Sequence, residues 1–213
     1  MNSQVLTIVA TGVANLASVQ ALSERLGMEP AITSRPQEIE EAAFVLVPGV
    51  GAFGPAMEVL RSSGADEALR RRVAEGRPTM AICLGMQLFF EESEESAGVC
   101  GLGIIPGKVR RLADKLPLPQ LGWNRIVPSE YCRILTGNWA YFANSYAASL
   151  DIPAEIGSLR LAPASASYQS PFLAALEGWK DDRAVLLLCQ FHPELSGPWG
   201  TALVRRWLEG GIA

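Results

Sequence analysis

The sequence contains a single histidine, His192, and this scarcity excludes several kinds of site. Sites built from two or three histidines, including the usual catalytic zinc centres, cannot form within one chain. The cysteines are also few, at positions 83, 100, 132 and 189, and none forms the C-x-x-C pair of a zinc knuckle or a thioredoxin motif. The sequence therefore predicts no metal site, and any reaction that needs an imidazole must use His192.

The chain also lacks an excess of positive charge and any long hydrophobic run. It has 18 basic and 22 acidic residues, which gives no electrostatic reason to expect nucleic acid or an anionic membrane as a partner. The longest apolar runs, 43–50 and 184–191, are far shorter than the ~18 residues of a membrane span. Residues 1–4 lack the basic segment of a secretory signal. We expect a soluble cytoplasmic protein with reduced cysteines.

The first half of the chain alternates apolar runs with segments of helical periodicity. This alternation predicts an α/β fold with a doubly wound, mostly parallel central sheet flanked by helices. The predicted strands are 5–10, 28–34, 43–48 and 79–82. The predicted helices are 15–26, 53–75 with a break near Gly64, and a helix over 84–91.

The second half has a different pattern, with glycine and proline at short spacing over 102–150. Strand-like pieces at 107–112, 122–127 and 140–147 predict antiparallel hairpins added to the sheet. The apolar run 184–191 predicts a late strand, and 201–208 a closing helix. Because no linker or internal repeat divides the chain, we expect one domain over residues 1–213.

The segment Ala81-Ile82-Cys83-Leu84-Gly85 places a cysteine between a predicted strand and a predicted helix. A sharp strand-to-helix turn exposes its middle side chain at a helix N-terminus, where the helix dipole and free N–H groups favour a thiolate. The small neighbours Ala81 and Gly85 let the backbone turn tightly, as in a nucleophile elbow. Cys83 is therefore a candidate nucleophile. The alternative is a buried structural cysteine.

The lone histidine occurs in Gln190-Phe191-His192-Pro193-Glu194, just past an apolar strand. Residues two apart in an extended chain share a face, so Glu194 is placed to orient the His192 ring. Ligands of open parallel sheets gather at the carboxyl ends of the strands, where Cys83 and His192 both lie. A nucleophile, a base and an orienting carboxylate would make a triad. Taken alone, the segment could instead be a surface turn.

A third segment, Pro48-Gly49-Val50-Gly51-Ala52-Phe53, also follows a predicted strand. Glycines permit backbone conformations in which N–H groups face a cavity. Such a loop could donate a hydrogen bond to an oxyanion during acyl transfer. The alternative is an ordinary turn between a strand and a helix.

These motifs, in this order, resemble those of the triad-type (class I) glutamine amidotransferases. Within that class the chain is similar to the glutaminase subunits of imidazole glycerol phosphate synthases, over residues 5 to 208. The segments that carry the resemblance are VLVPGVGAFGPAM, AICLGMQLFFEESEES, GLGIIPGKV, LGWN, YFANSY and QFHPELSG, with GVANLASVQALSERLG as the first helix.

The resemblance implies that Cys83 attacks the side-chain amide of L-glutamine, that His192 transfers protons and that Glu194 orients His192. It implies glutamate and ammonia as products and requires no cofactor. The implied oxyanion hole consists of Leu84 and the loop residues Gly49, Val50 and Gly51. The implied substrate-binding residues are Gln87, Asn144, Ser145 and Tyr146.

The resemblance also implies a partner, a (β/α)₈-barrel cyclase subunit that forms a heterodimer with this chain and receives the ammonia. The implied products are imidazole glycerol phosphate, for histidine biosynthesis, and an aminoimidazole carboxamide ribonucleotide. The implied interface residues are Asn15, Trp123 and Asn124.

Five positions depart from the pattern of these subunits. They are Ala10 and Thr11, where Asp-Tyr is usual, Ala14 for glycine, Asn144 for a second histidine, and Leu195 for lysine. None removes the predicted triad. Three alternatives stay open: the same glutaminase serving another synthase, for example in sugar amidation; a catalytically silent module; and an unrelated cysteine hydrolase.

Overall fold

The computed structural model describes residues 4–12, 16–112 and 115–211 of the chain. Its β-strands are β1 (Val5–Val9), β2 (Glu29–Thr33), β3 (Phe44–Val47), β4 (Thr79–Ile82), β5 (Glu92–Ser93), β6 (Lys108–Arg111), β7 (Gln120–Pro128), β8 (Asn138–Asn144), β9 (Tyr146–Ala148), β10 (Glu155–Ile156), β11 (Leu159–Tyr168), β12 (Ser170–Lys180) and β13 (Arg183–Cys189). Its α-helices are α1 (Leu16–Arg25), α2 (Pro36–Glu41), α3 (Phe53–Ser63), α4 (Ala65–Glu75), α5 (Leu84–Gln87) and α6 (Gly197–Leu208), and a 3₁₀ turn covers Pro193–Leu195.

The main sheet has the strand order β2-β1-β3-β4-β13-β12-β11-β7-β8, with β10 added beside β11. The strands from β2 to β13 in this order pair in parallel. The remaining strands, from β12 to β8, pair antiparallel. The predicted α/β fold, a parallel sheet extended by antiparallel strands, is confirmed. Because β4 and β13 are neighbours, the residues that follow their carboxyl ends lie together.

Helices cover both faces of the parallel strands, and β3 shows how its sequence supports this. Its four residues are all buried, and successive side chains point to opposite faces. Leu46 belongs to the apolar cluster under α1 and α6. Val45 and Val47 belong to the cluster under α2, α3 and α4. A strand buried on both faces requires a continuous apolar run, which is why the sequence identified this strand.

The predicted break in the helical region 53–75 is confirmed at Gly64, which ends α3 with a φ of +76°. The predicted helix over 84–91 is wrong beyond Gln87. Carbonyl groups that would continue the helix accept hydrogen bonds from a later loop instead: Leu102 N–H donates to Leu88 at 2.8 Å and Gly101 N–H to Glu91 at 2.7 Å. Tertiary contacts therefore stop α5 after one turn.

The second half contains more strand than its sequence predicted. The pieces at 107–112 and 122–127 form β6 and β7, whereas 140–147 divides into β8 and β9. Strands β6 and β9 join β5 in a separate three-stranded sheet rather than the main one. The long hairpin of β11 and β12 was not predicted. Among the described residues, no helix is both long and apolar enough to cross a membrane.

Candidate active site

Cys83 lies in the turn between β4 and α5 with φ +51° and ψ −112°. A positive φ is rare for a residue with a side chain, and such a conformation costs about 1–3 kcal/mol. Its N–H donates to the carbonyl of Cys189 at 2.7 Å, which continues the pairing of β4 with β13. The turn places the Cys83 side chain at the start of α5, where it is 93% buried but borders a cleft.

That cleft, with a volume of about 460 Å³, brings together all the residues predicted from the sequence as catalytic, oxyanion-stabilising or substrate-binding. They come from four separate parts of the chain, around β3, β4, β8 and the segment after β13. The predicted residues that line it are Gly49, Val50, Gly51, Cys83, Leu84, Gln87, Asn144, Ser145, Tyr146, His192 and Glu194.

His192 Nδ1 lies 2.8 Å from Glu194 Oε1. The contact was predicted from an extended chain, but the structure achieves it differently, because residues 193–195 form a 3₁₀ turn that returns Glu194 to the ring. The backbone of His192 is held on both sides. Its N–H donates to the Tyr141 carbonyl at 2.9 Å, and its own carbonyl accepts from Ser196 Oγ at 2.6 Å.

The environment of His192 favours the protonated ring. Burial lowers its pKa, but hydrogen bonds to Cys83 and Glu194, together with the negative charges of both groups, outweigh burial and raise the pKa to about 10. Because Nδ1 faces Glu194, Nε2 is the nitrogen left for the sulfur. The arrangement suits an imidazolium beside the Cys83 sulfur at neutral pH.

The loop 48–51 touches the backbone of the Cys83 turn without intervening side chains. A Cβ on Gly49 would lie 2.0 Å from the Gly85 nitrogen, and a Cβ on Gly85 would lie 2.2 Å from the Val47 carbonyl oxygen. Neither position has room for a side chain. The glycines therefore allow the backbone of the loop to approach that of the Cys83 turn.

Glu95 was not singled out from the sequence, although it lies in the quoted EESEES segment. Its Oε2 accepts a hydrogen bond from the Phe53 N–H at 2.8 Å, and Ser96 Oγ accepts one from the Gly54 N–H at 3.0 Å. These bonds satisfy free N–H groups at the start of α3, directly after the glycine loop. Glu95 also lines the cleft, where its carboxylate would suit a substrate ammonium group.

The side-chain amides of Gln87 and Asn144 converge on one backbone atom, the Tyr146 carbonyl oxygen. Gln87 Nε2 donates to it at 2.9 Å and Asn144 Nδ2 at 3.0 Å. Gln87 Nε2 also donates to Gln190 Oε1 at 3.0 Å. Gln190, which sequence reasoning missed, is fully buried, and its Nε2 donates to Cys83 Sγ at 3.6 Å.

The predicted interface residues have different environments. Trp123 on β7 is 55% exposed and packs edge-on against Tyr141, with ring centroids 6.2 Å apart. Asn124 instead bonds within the sheet, because its Nδ2 donates to the Ser167 carbonyl at 2.9 Å. Asn15 lies outside the described residues. Leu121 and Trp139 are also exposed and, with Trp123, form what we call the β7–β8 patch.

Known proteins of one family are similar to this chain over most of its length. A family model described as glutamine amidotransferase class-I matches residues 14–209. The imidazole glycerol phosphate synthase subunit HisH of Symbiobacterium thermophilum is 38% identical over 206 residues, covering 95% of this chain and 92% of that protein. The subunit of the same name from Thermus thermophilus is 39% identical, covering 95% of this chain and 97% of that protein.

Solved structures share the fold at lower sequence identity. A crystal structure of a glutamine amidotransferase has a TM-score of 0.71 at 19% identity, covering 97% of this chain and 98% of that one. PurLQS from Thermotoga maritima has a TM-score of 0.70 at 12% identity, with the same coverage of each chain. At these identities the similarity establishes the fold alone.

Proposed function

Since the chain belongs to the class I glutamine amidotransferases, among the HisH glutaminase subunits of imidazole glycerol phosphate synthase, we propose that Cys83, His192 and Glu194 are its catalytic triad. The observation that carries this proposal is their meeting in one cleft. Glu194 Oε1 lies 2.8 Å from His192 Nδ1, Cys83 lines the same cleft as both residues, and Cys83 is among the groups that raise the pKa of His192. No other histidine exists in the chain to act as the base.

The chemistry follows from the protonated state of His192. The Cys83 thiolate attacks the side-chain carbonyl carbon of glutamine, and negative charge develops on the carbonyl oxygen. The imidazolium gives its proton to the amide nitrogen, the carbon–nitrogen bond breaks, and ammonia leaves a glutamyl thioester on Cys83. His192, now neutral, takes a proton from water, which attacks the thioester and releases glutamate. The sum is glutamine and water to glutamate and ammonia.

The developing oxyanion would be stabilised by backbone N–H groups rather than by a charged side chain. Leu84 supplies one donor at the start of α5, and the loop from Gly49 to Gly51 supplies a second. The support is the contact of Gly49 with the backbone of Gly85, which leaves the loop and the turn no more than van der Waals distance apart.

The rest of the cleft would hold the amino-acid part of glutamine. Ser145 and Tyr146 form its wall between β8 and β9, and Gln87 and Asn144 fix that wall by bonding the Tyr146 carbonyl. Glu95 offers a carboxylate for the substrate's ammonium group. Fixed polar groups of this kind give orientation and specificity in a small-molecule site.

The ammonia would pass to a cyclase subunit bound over the mouth of the cleft as a heterodimer. The β7–β8 patch supports this location, because Trp123 of the patch contacts Tyr141, which lines the cleft. Exposed tryptophans of this kind anchor protein interfaces. We assign Trp123 as the main anchor, and Asn15 and Asn124 stay interface residues by resemblance alone. The cyclase would use the ammonia to form imidazole glycerol phosphate and an aminoimidazole carboxamide ribonucleotide in histidine biosynthesis.

The test is glutamine hydrolysis by the purified chain, measured alone and with the cyclase and its ribonucleotide substrate. We expect slow hydrolysis by the chain alone and a large increase in the complex. No hydrolysis under either condition would contradict the glutaminase assignment. Stimulation by a different synthase, and not by the cyclase, would contradict the assigned partner while leaving the glutaminase intact.

A further inference from the structure

A chain of side-chain amides connects the nucleophile to the substrate-binding wall of the cleft. Gln87 Nε2 donates to the Tyr146 carbonyl at 2.9 Å and to Gln190 Oε1 at 3.0 Å. Gln190 Nε2 then donates to Cys83 Sγ at 3.6 Å. Both amides are at least 95% buried. The backbone of Gln190 is anchored separately, because its N–H donates to the Ala174 carbonyl at 2.9 Å.

The direction of these hydrogen bonds is fixed by the chemistry of the first acceptor. A backbone carbonyl can only accept, so the Gln87 atom that faces Tyr146 must be its NH₂ group. That NH₂ group also faces Gln190, so the Gln190 atom beside it must be oxygen. The remaining amide atom of Gln190 is then nitrogen, and it faces the Cys83 sulfur. The Tyr146 carbonyl thus determines, through Gln87 and Gln190, that a hydrogen-bond donor faces the Cys83 sulfur.

Two polar atoms besides those of His192 lie near the Cys83 sulfur, and they favour opposite protonation states of it. The Ala143 carbonyl oxygen lies 3.8 Å away and can accept a hydrogen bond only from the neutral thiol. The Gln190 N–H, at 3.6 Å, can donate to either form but binds the thiolate more strongly, because hydrogen bonds to charged groups are the stronger ones. In a buried site this difference is not screened by water.

We propose that Gln190 is a positioning residue for the proposed glutaminase reaction, whose side-chain N–H holds the Cys83 sulfur and stabilises its thiolate. Through Gln87 the same amide connects the nucleophile to the Tyr146 carbonyl. Gln190 does not touch the scissile amide. Its effect on catalysis is exerted through Cys83, and it depends on the Gln87 contact for its orientation.

The test uses Gln190→Met, which keeps the length of the side chain and removes the amide. Alkylation of Cys83 by iodoacetamide is followed against pH, with the Cys83 peptide quantified by mass spectrometry because the exposed Cys100 also reacts. We expect the midpoint of the pH profile to rise by about one unit, equivalent to ~1.4 kcal/mol, and the rate at pH values below both midpoints to fall about tenfold.

The matched control is Gln120→Met. Gln120 is also a buried glutamine, 4% exposed on β7, and neither of its amide atoms has a hydrogen-bond partner among the described residues. Its replacement should leave the Cys83 profile at the wild-type position. The other titratable groups that surround the cleft are unchanged in both variants: Glu95, Tyr141, Tyr146, His192 and Glu194.

A purely structural role for Gln190 would lower the thermal midpoint without moving the Cys83 profile, and that result would overturn the proposal. If Gln190→Met does not fold, Gln190→Glu replaces it. The glutamate keeps the acceptor for Gln87 but turns a negatively charged oxygen towards the sulfur, so the profile should again move upward. An unchanged or downward profile in that variant would equally overturn the proposal.

Steady-state kinetics of the same variants in the cyclase complex provide a second readout. Gln190→Met should lower kcat for glutamine by about tenfold while changing KM little, because the amide acts on the nucleophile rather than on the substrate. The alkylation experiment involves no glutamine, so an unmoved profile overturns the role of Gln190 alone. Absence of glutamine hydrolysis in the wild-type complex would instead overturn the proposed function.

Discussion

Gly49 and Gly85 meet backbone to backbone, so that a Cβ on Gly49 would lie 2.0 Å from the Gly85 nitrogen. One glycine belongs to the loop after β3 and the other to the first turn of α5. Because β3 and β4 are paired neighbours, the loop and the Cys83 turn emerge side by side from the same edge of the sheet. The contact couples the proposed oxyanion loop directly to the proposed nucleophile.

Alanine at Gly49 or Gly85 should therefore abolish most glutaminase activity. Each added methyl group must displace backbone atoms and so separate the oxyanion donors. Losing one such donor lowers kcat by about 10²–10³-fold. Glutamine hydrolysis in the cyclase complex measures the effect, with circular dichroism to confirm folding. Gly137→Ala is the control, since its Cβ would meet no atom closer than 3.6 Å. Near wild-type activity in Gly49→Ala would contradict this role.

Replacing the Glu194 carboxylate by an amide should slow the reaction while preserving the shape of the site. Glu194→Gln removes the charge that helps to keep His192 protonated and can leave the ring in the wrong orientation. Loss of correctly placed acid–base catalysis costs about 10²–10⁴-fold in kcat. The exposed Glu130→Gln is the matched control. Equal kcat values for the two variants would show that Glu194 does not act on His192.

The pH dependence of His192 can be measured directly, because the only imidazole in the chain gives an unambiguous NMR signal. The pKa is raised from 6.5 to about 10. The ring should thus titrate with a midpoint near 10 in the wild type, and at a lower pH in Cys83→Ala, where the hydrogen bond to sulfur is lost. A wild-type midpoint near 6.5 would contradict the proposed ion pair.

The raised pKa of His192 also determines how the stability of the fold changes with pH. A histidine whose pKa is higher in the folded chain than in the unfolded chain stabilises the fold fully below about 6.5, and this contribution is lost as the pH rises through about 10. The free energy of unfolding should therefore fall more steeply between these values in the wild type than in His192→Gln. Parallel curves for the two proteins would be inconsistent with this linkage.

Truncating the centre of the β7–β8 patch should weaken the heterodimer. Trp123→Ala removes a 55% exposed aromatic side chain next to the cleft and should cost about 2 kcal/mol of binding, roughly a 30-fold rise in Kd. Tyr131→Ala is the control, a 69% exposed aromatic residue in the turn after β7. Titration calorimetry with the cyclase measures both. A larger loss for Tyr131→Ala would place the interface elsewhere.

The sequence predicted the parts of this molecule that depend on local patterns. Strand β4 and the turn at Cys83 were identifiable because an apolar run leads directly into a cysteine, with a glycine two residues later. The predicted helix after Cys83 was too long, because the hydrogen bonds that end it come from residues 101 and 102, beyond any local signal. The β11–β12 hairpin was missed because much of β11 is small or polar, as in LRLAPASASY.

The missed site residues have partners that are distant in sequence. Gln190 contacts Cys83 across 107 residues, and Glu95 contacts Phe53 across 42. Neither the periodicity of the sequence nor the spacing of its residues predicts contacts between such distant positions. The predicted contact between His192 and Glu194 spans two residues and so could be anticipated, although a 3₁₀ turn rather than an extended chain produces it.

The proposed role of Cys83 is to release ammonia from glutamine for use by the cyclase. The most direct measurement is formation of imidazole glycerol phosphate by the complex containing Cys83→Ala, with either glutamine or an ammonium salt as the nitrogen source. Synthesis from glutamine should be lost, while synthesis from ammonium should continue at the wild-type rate because the cyclase is intact. Full glutamine-dependent synthesis by this variant would contradict the claim.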